Sequence, residues 1–313
     1  MDRQSLRKAY GESLVDYGAT NPHVAVVVAD VSSSVQTSYF AERFPERFFN
    51  VGITEQSMVD VAVGLALGGM IPFANTFAVL FLRTFEQIRT CVAYAKTNVK
   101  IVGGYSGLSD FKDGPTHHAD TDIAIMRSLP NMTVVEVADA VETRKMVPAV
   151  AELDGPVYLR ITRADMPVLF DESHEVEIGK GVTVRDGDDV TLMGCGVMVS
   201  RCLEASKILA GKGTDARVVN MHTIKPLDRS LLEKAANETG AVVTAEDHTV
   251  IGGLGGAVAE ALSETYPVPL ERIGIKDIFT ETALTYEELL DYYGMGVKDI
   301  VESARHVMKR KFS

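Results

Sequence analysis

Glu55 is the first side chain whose setting suggests chemistry. It stands in FFNVGITEQSMVDVAVGLALGG (48–69), after a Gly–Ile–Thr turn and at the mouth of a helix that is apolar almost all round. A carboxylate in a first turn is favoured by the helix dipole, so a cap explains it. An acid entering an apolar helix is also partly desolvated, which favours its protonated form and lets it share a proton with a ligand. The second cluster, SGLSDFKDGPTHHADTD (106–122), is a Gly/Asp/Pro-rich stretch with adjacent histidines. It reads as a surface turn or as a substrate-binding loop, because ligands of α/β sheets bind at the carboxyl ends of the strands. Asp113, His117 and His118 are candidate metal ligands, but no HxH or HxxxH pair and no cysteine partner supports them. The third, EDHTVIGGLGGAV (246–258), has Val258 where GxGxxG needs its third glycine, and acids where a phosphate loop would not have them. Close helix–strand packing explains its glycines better. Arg160 and Arg163 lie three apart on one strand and face opposite sides, so only one can face a given pocket. Arg7, Lys8 and Arg83 read as ordinary surface residues of helices.

These residues need a scaffold, and the apolar patterning supplies one. VAVVVAD (24–30), VKIVGG (99–104), MTVVEVA (132–138) and VYLRIT (157–162) read as parallel strands buried on both faces. Helices are expected near 55–68, 82–97, 121–129 and 139–153, the last capped by Asp139. The chain changes character across Arg163–Gly181, with Pro167 and a cluster of acids. Strands at 190–196, 216–221 and 241–247 then alternate with helices near 198–211, 228–239, 256–265 and 296–310, and Asp186–Gly187–Asp188 reads as a hairpin-like turn. The expected fold is α/β, two tandem doubly wound domains with mainly parallel sheets, at 1–165 and 182–313, joined by a linker at 166–181.

The 313 residues suit two such domains, and 46% apolar with 24% charged residues excludes a disordered chain. A net charge of −12 gives no general basic footprint for nucleic acid. Three cysteines (Cys91, Cys195, Cys202) without CxxC spacing fit a reducing compartment. MDRQSLRKAYGESL has no apolar signal core, and the most apolar stretch, Met58–Leu82, is broken by Asp60, Pro72 and Asn75. That stretch reads as helix, turn and second helix, and the chain as a soluble cytoplasmic protein.

FFNVGITEQSMVDVAVGLALGG…PFANTFAVLFLRTFEQIR, then GLSDFKDGPTHH, then RSLPNMTVVEVADAVET, together resemble the transketolase family of thiamine-diphosphate enzymes, in the family's order and over essentially the whole chain. The part resembled is the pyrimidine-binding domain plus the C-terminal domain; the family's GDG…N magnesium motif has no counterpart here. The resemblance implies a two-carbon ketol transfer from a ketose phosphate to an aldose, with thiamine diphosphate as electron sink. It implies that Glu55 bonds N1′ of the aminopyrimidine, that Asp30 lies on the thiazolium side and that Phe77 belongs to the pyrimidine pocket. Asp113 and His117 match contacts to substrate hydroxyls, and His117 is a catalytic candidate. Ser34 lies where the family approaches the substrate phosphate, and Arg7 and Arg163 match the arginines that hold it. The aromatic that stacks on the pyrimidine is replaced by Leu80, with Phe81 one step on. Arg83 stands where many transketolases have Tyr, as in deoxyxylulose-phosphate synthases, and a histidine of the family is replaced by Gly103 or Gly104. No metal is expected in this chain: Mg²⁺ and diphosphate would be held by a separate N-terminal subunit in an α2β2 heterotetramer. Rival readings are a 2-oxo acid dehydrogenase β-subunit, a deoxyxylulose-phosphate-synthase-like enzyme and a non-catalytic scaffold that kept the fold.

Overall fold

Every residue of the run Val24–Val28 is buried, Val24 and Val26 toward one apolar cluster and Val27 toward another, as a strand covered by helices on both faces requires. In the computed structural model, which describes residues 2–312, this run is β2 of the first half. That half comprises β1 (Arg3–Ser5), α1 (Leu6–Thr20), β2 (Val24–Val28), α2 (Ser38–Arg43), β3 (Phe48–Asn50), α3 (Glu55–Leu67), β4 (Ile71–Phe77), α4 (Phe85–Gln87), β5 (Lys100–Gly104), α5 (Asp122–Ser128), β6 (Thr133–Glu136), α6 (Ala140–Glu152), β7 (Val157–Ile161) and β8 (Asp165–Pro167). The second half comprises β9 (Val182–Arg185), β10 (Val190–Gly194), α7 (Met198–Ala210), β11 (Ala216–Asn220), β12 (Thr223–Lys225), α8 (Arg229–Thr239), β13 (Val242–Thr249), α9 (Leu254–Glu264), β14 (Leu270–Ile275), α10 (Tyr286–Tyr292) and α11 (Val297–Lys309).

The described residues build a seven-stranded sheet, β12-β6-β7-β5-β4-β2-β3, and a five-stranded sheet, β14-β13-β10-β11-β9. Only the edge strands β12 and β9 run antiparallel. The expected doubly wound α/β architecture is therefore present. β12, from the second half, completes the edge of the first sheet, and β1 pairs with β8 as a separate two-stranded sheet.

Three local expectations are corrected. Met58–Leu82 is not helix, turn and helix: Ile71–Phe77 is a central strand between β2 and β5. Pro72 is tolerated near its start, and buried Asn75 is satisfied by the Tyr10 hydroxyl (2.5 Å) and the Phe73 carbonyl (2.7 Å). The helix expected over 82–97 is a 3₁₀ turn (Ala78–Thr84), α4 and a π-helical turn (Ile88–Tyr94). The wider π turn lets Ile88, Val92 and Ala93 all face the core. The turn at Asp186–Gly187–Asp188 joins no hairpin, because β9 pairs with β11 rather than with β10.

Asp139 caps α6 as expected, its Oδ1 accepting from the Glu142 N–H at 2.8 Å. Its Oδ2 accepts from Leu169 and Phe170 N–H at 2.7 and 2.9 Å, so one buried carboxylate ties the helix to the strap that leads into the second half. Asp139→Ala strands these donors and should cost about 3–5 kcal/mol, with Asp139→Asn less damaging. Urea unfolding midpoints of the two variants check this; a loss below about 1 kcal/mol for the alanine variant would contradict it.

Candidate functional site

The carboxyl ends of β2, β4, β5 and β7 converge, as ligand sites of open parallel sheets do. Just past β5, Tyr105 takes a left-handed backbone conformation (φ 57°) and stacks on Phe77, with ring centroids 4.1 Å apart and planes 26° from parallel. The Arg7 and Arg163 guanidiniums lie 5.0 and 5.1 Å from the Tyr105 ring. Arg7 donates to the Tyr105 hydroxyl (3.0 Å) and to the Ser34 carbonyl (2.7 Å). Arg163 is ion-paired with buried Asp110. The structure thus brings Arg7, Ser34, Phe77 and Arg163 together, with Ser34 contributing its carbonyl rather than its hydroxyl to this contact. Tyr105 and Asp110 were missed. The sequence signal for both was their place beside Gly104 and DGPTH, but neither residue type betrays an aromatic partner or a buried charge.

The DGPTHH loop folds over the same edge. His117 N–H and His118 N–H donate to the Gly114 carbonyl at 2.8 and 3.1 Å, closing a tight turn. His117 is half-buried, its ring edge-on to Phe77 at 6.4 Å and its Nδ1 3.0 Å from the Thr116 hydroxyl. Asp113 is exposed. Burial, and after it the charge of Asp113, push the Asp110 carboxyl above its ordinary range, while Arg163 pulls it down. Burial lowers the His118 imidazole. Among the described residues, Arg7 Nε, Asp110 Oδ2 and His118 Nε2 are buried and have no hydrogen-bond partner. Such orphans around one group of side chains mark a place built for polar contacts that the chain itself does not supply. No group of three or more His, Cys, Asp or Glu side chains among the described residues is placed to hold a metal ion.

Glu55 opens α3 and is 4% exposed, while Arg83, on the 3₁₀ turn that follows Phe77, reaches it at 3.4 Å from a side chain 56% exposed. A buried carboxylate with one loosely held cation at an apolar helix N-terminus is placed to bond a polar group of a ligand lying against apolar side chains. Leu80 is half-buried on the same turn, whereas Phe81 lies in the core with its ring edge-on to Tyr158 at 6.2 Å. Asp30 (φ 58°) is exposed at the end of β2 and accepts from the Asn50 amide at 3.1 Å.

The two sheets meet at a buried ionic network. Arg160 is 0% exposed and donates to Asp122 (2.9 Å), Glu136, the Ala119 carbonyl (2.6 Å) and the Asp247 carbonyl (2.9 Å). The expectation that Arg160 and Arg163 share one strand is corrected: β7 ends at Ile161, so Arg163 lies beyond it and pairs with Asp110 instead. Tyr158 and Tyr286 hydroxyls donate to Asp122 (2.5 Å) and Asp247 (2.6 Å). The glycine cluster is packing, as expected: Glu246 accepts from Leu254 and Gly255 N–H at 2.6 and 2.8 Å, and a Cβ on Gly253 would fall within its carboxylate. Burial pushes Glu246 up to about 8 and Asp247 up to about 6, and pulls His248 down to about 4.

Residues 2–168 match the transketolase pyrimidine-binding domain family and residues 179–300 the transketolase C-terminal domain family. The chain is 43% identical, over 98% of both chains, to a Methanocaldococcus jannaschii protein named by inference as a transketolase C-terminal section. It is 40% identical, over 99% of itself and 97% of the relative, to the 6-deoxy-6-sulfo-D-fructose transketolase subunit of a Clostridium species. A solved structure described as a split-gene transketolase, an inactive β4 tetramer, superposes with a TM-score of 0.91 at 46% identity, covering 99% of this chain and all of that one. This chain belongs to the transketolase family, with the two domains that make up the C-terminal section of a split transketolase.

The Glu246 shift sets a pH dependence. Its folded value lies above its unfolded one near 4.5, so its contribution is complete below pH 4.5 and is lost as pH rises through 8. Glu246→Gln, which stays neutral, should gain stability relative to the parent by on the order of 4 kcal/mol between pH 4.5 and 8.5. Denaturant unfolding of both proteins across that range checks the sign; a difference independent of pH would contradict it.

Proposed function

We propose that this chain is the C-terminal subunit of a split transketolase that moves a two-carbon ketol unit from a ketose phosphate to an aldose. In this reading, residues 1–165 are the pyrimidine-binding domain, 166–181 a linker and 182–313 the C-terminal domain. Thiamine diphosphate, when bound, supplies the electron sink that allows a carbon–carbon bond beside a carbonyl to break. Glu55 bonds N1′ of its aminopyrimidine and holds or releases the proton there. Phe77, Leu80 and Arg83 line the pyrimidine side, with Phe81 packed behind them, and Asp30 borders the thiazolium side. Arg7 and Arg163, beside the Ser34 backbone, take a terminal anionic group, where planar guanidiniums suit a phosphate or sulfonate. Asp113 and His117 contact substrate hydroxyls.

The observation that carries this reading is the pairing, on one sheet edge, of a buried helix-entry carboxylate with an arginine-flanked aromatic pocket under DGPTH. Diphosphate and Mg²⁺ belong to a separate N-terminal subunit, giving an α2β2 complex in the cytoplasm. The inactive tetramer described for the similar split-gene structure supports dependence on that partner. Among the described residues no helix is long and apolar enough to cross a membrane.

Two outcomes test the reading. Ketol transfer from xylulose 5-phosphate to ribose 5-phosphate, or from sulfonated or branched ketoses, should appear only when both subunits are mixed with thiamine diphosphate and Mg²⁺. Within that complex, Glu55→Gln should lower kcat by roughly 10²–10⁴-fold with assembly intact on size-exclusion chromatography. Activity indifferent to the substitution would reduce the chain to a scaffold. Separately, Arg163→Ala should raise KM for a phosphorylated donor roughly 10- to 100-fold, measured by initial rates, and unchanged KM would remove Arg163 from the anion site.

A further inference from the structure

The loop that carries Asp113 and His117 is held from the C-terminal domain. Asp247 accepts from Leu108 N–H at 3.0 and 3.1 Å, Thr249 N–H donates to the Asp120 carbonyl at 2.8 Å, and Ala283 N–H donates to the Phe111 carbonyl at 3.0 Å. Beside these ties stands one contact made by two side chains: His118 Nδ1 shares a hydrogen bond of 2.6 Å with the Thr280 hydroxyl.

The setting of Thr280 is unusual. It belongs to the segment 276–285 between β14 and α10, which is exposed over most of its length, Phe279 by 93%, yet Thr280 itself is 3% exposed. The segment therefore turns a single hydroxyl inward, onto the imidazole that follows His117. Nearby, a Cβ on Gly114 (φ 78°) would lie 2.5 Å from the Thr282 methyl, so the Thr282 side chain packs directly on the DGPTHH turn. The segment is fixed in turn by the Tyr293 hydroxyl, which accepts the Glu281 N–H at 2.7 Å. His117 and His118 bond the same Gly114 carbonyl, so fixing one ring fixes the turn that presents the other.

We propose that Thr280 is a positioning residue: through His118 its hydroxyl sets the turn that presents Asp113 and His117 to the substrate. The C-terminal domain thereby takes part in substrate selection although it contributes none of the side chains assigned to the chemistry. This inference rests on the ketol-transfer reading above.

The test compares Thr280→Val, which keeps the shape and removes the hydroxyl, with Thr280→Ser, which keeps the hydroxyl, in the complex with the N-terminal subunit. Thr280→Val should lower kcat/KM for the ketose roughly 10- to 100-fold while thiamine diphosphate affinity and assembly stay within about twofold, because a misplaced turn affects substrate contacts and not Glu55. Thr280→Ser should recover most of that loss. Hydrogen exchange should rise in the peptide 110–118 of Thr280→Val and stay unchanged in β13, a readout that a merely stabilising contact would not confine to the loop. An active parent complex with Thr280→Val unimpaired, or with Thr280→Ser equally impaired, overturns this proposal alone. An inactive parent complex overturns the functional reading and this proposal together.

Discussion

The buried guanidinium of Arg160 is the constraint on which the rest of the structure depends. Burying an arginine costs several kcal/mol unless its donors are all engaged, and here two carboxylates and two backbone carbonyls engage them. The partners come from both halves: Asp122, Glu136 and Ala119 surround the first sheet, whereas the Asp247 carbonyl belongs to β13 of the second. A relative shift of the two sheets would leave a charge unpaired at low dielectric, so the network selects one docking geometry. Its demands spread outward through the backbone. Gly107 has no side chain because a Cβ there would enter the Asp247 carboxylate, and Asp247 in turn holds the Leu108 N–H at the start of the loop that carries DGPTHH.

The candidate site follows from that geometry. The first sheet supplies the rigid floor, with Phe77 and Tyr105 stacked at strand ends and two guanidiniums beside the ring. The second half supplies restraint for the loop above it, through Asp247, Thr249, Thr280 and Ala283. The buried polar atoms of Arg7, Asp110 and His118 that lack partners within the described chain lie where these two contributions meet.

Much of this was legible in the sequence, for identifiable reasons. Buried parallel strands are almost wholly apolar, so VAVVV and VYLRI announced themselves, and Asp139 followed by a helical pattern announced a cap. β4 was hidden because Pro72 and Asn75 read as breaks; only tertiary partners, Tyr10 above all, make that asparagine acceptable in a central strand. The π-helical turn was hidden because its spacing resembles an α-helix until the buried set is known. Among the candidate site residues, Glu55, Asp113 and His117 stand in motifs that draw attention by themselves, whereas Arg7, Phe77 and Arg163 entered the site only through the family resemblance. Tyr105 and Asp110 could be named from neither, since ring stacking and the burial of an acid are properties of the folded chain. The glycines at 246–258 were read correctly as packing, but the tie of the neighbouring Asp247 carbonyl to Arg160 spans a sequence separation that no local pattern carries.

The account's central claim is that Glu55 meets the cofactor from this chain while another subunit holds its diphosphate. The most direct measurement is a structure of the complex with the N-terminal subunit and thiamine diphosphate, solved at a resolution that places the aminopyrimidine. The account predicts N1′ within about 2.6–3.0 Å of the Glu55 carboxylate, with Phe77 and Leu80 bordering the ring and the diphosphate on the partner. A pyrimidine bound away from Glu55, or a complex that forms without any cofactor at that junction, would contradict it.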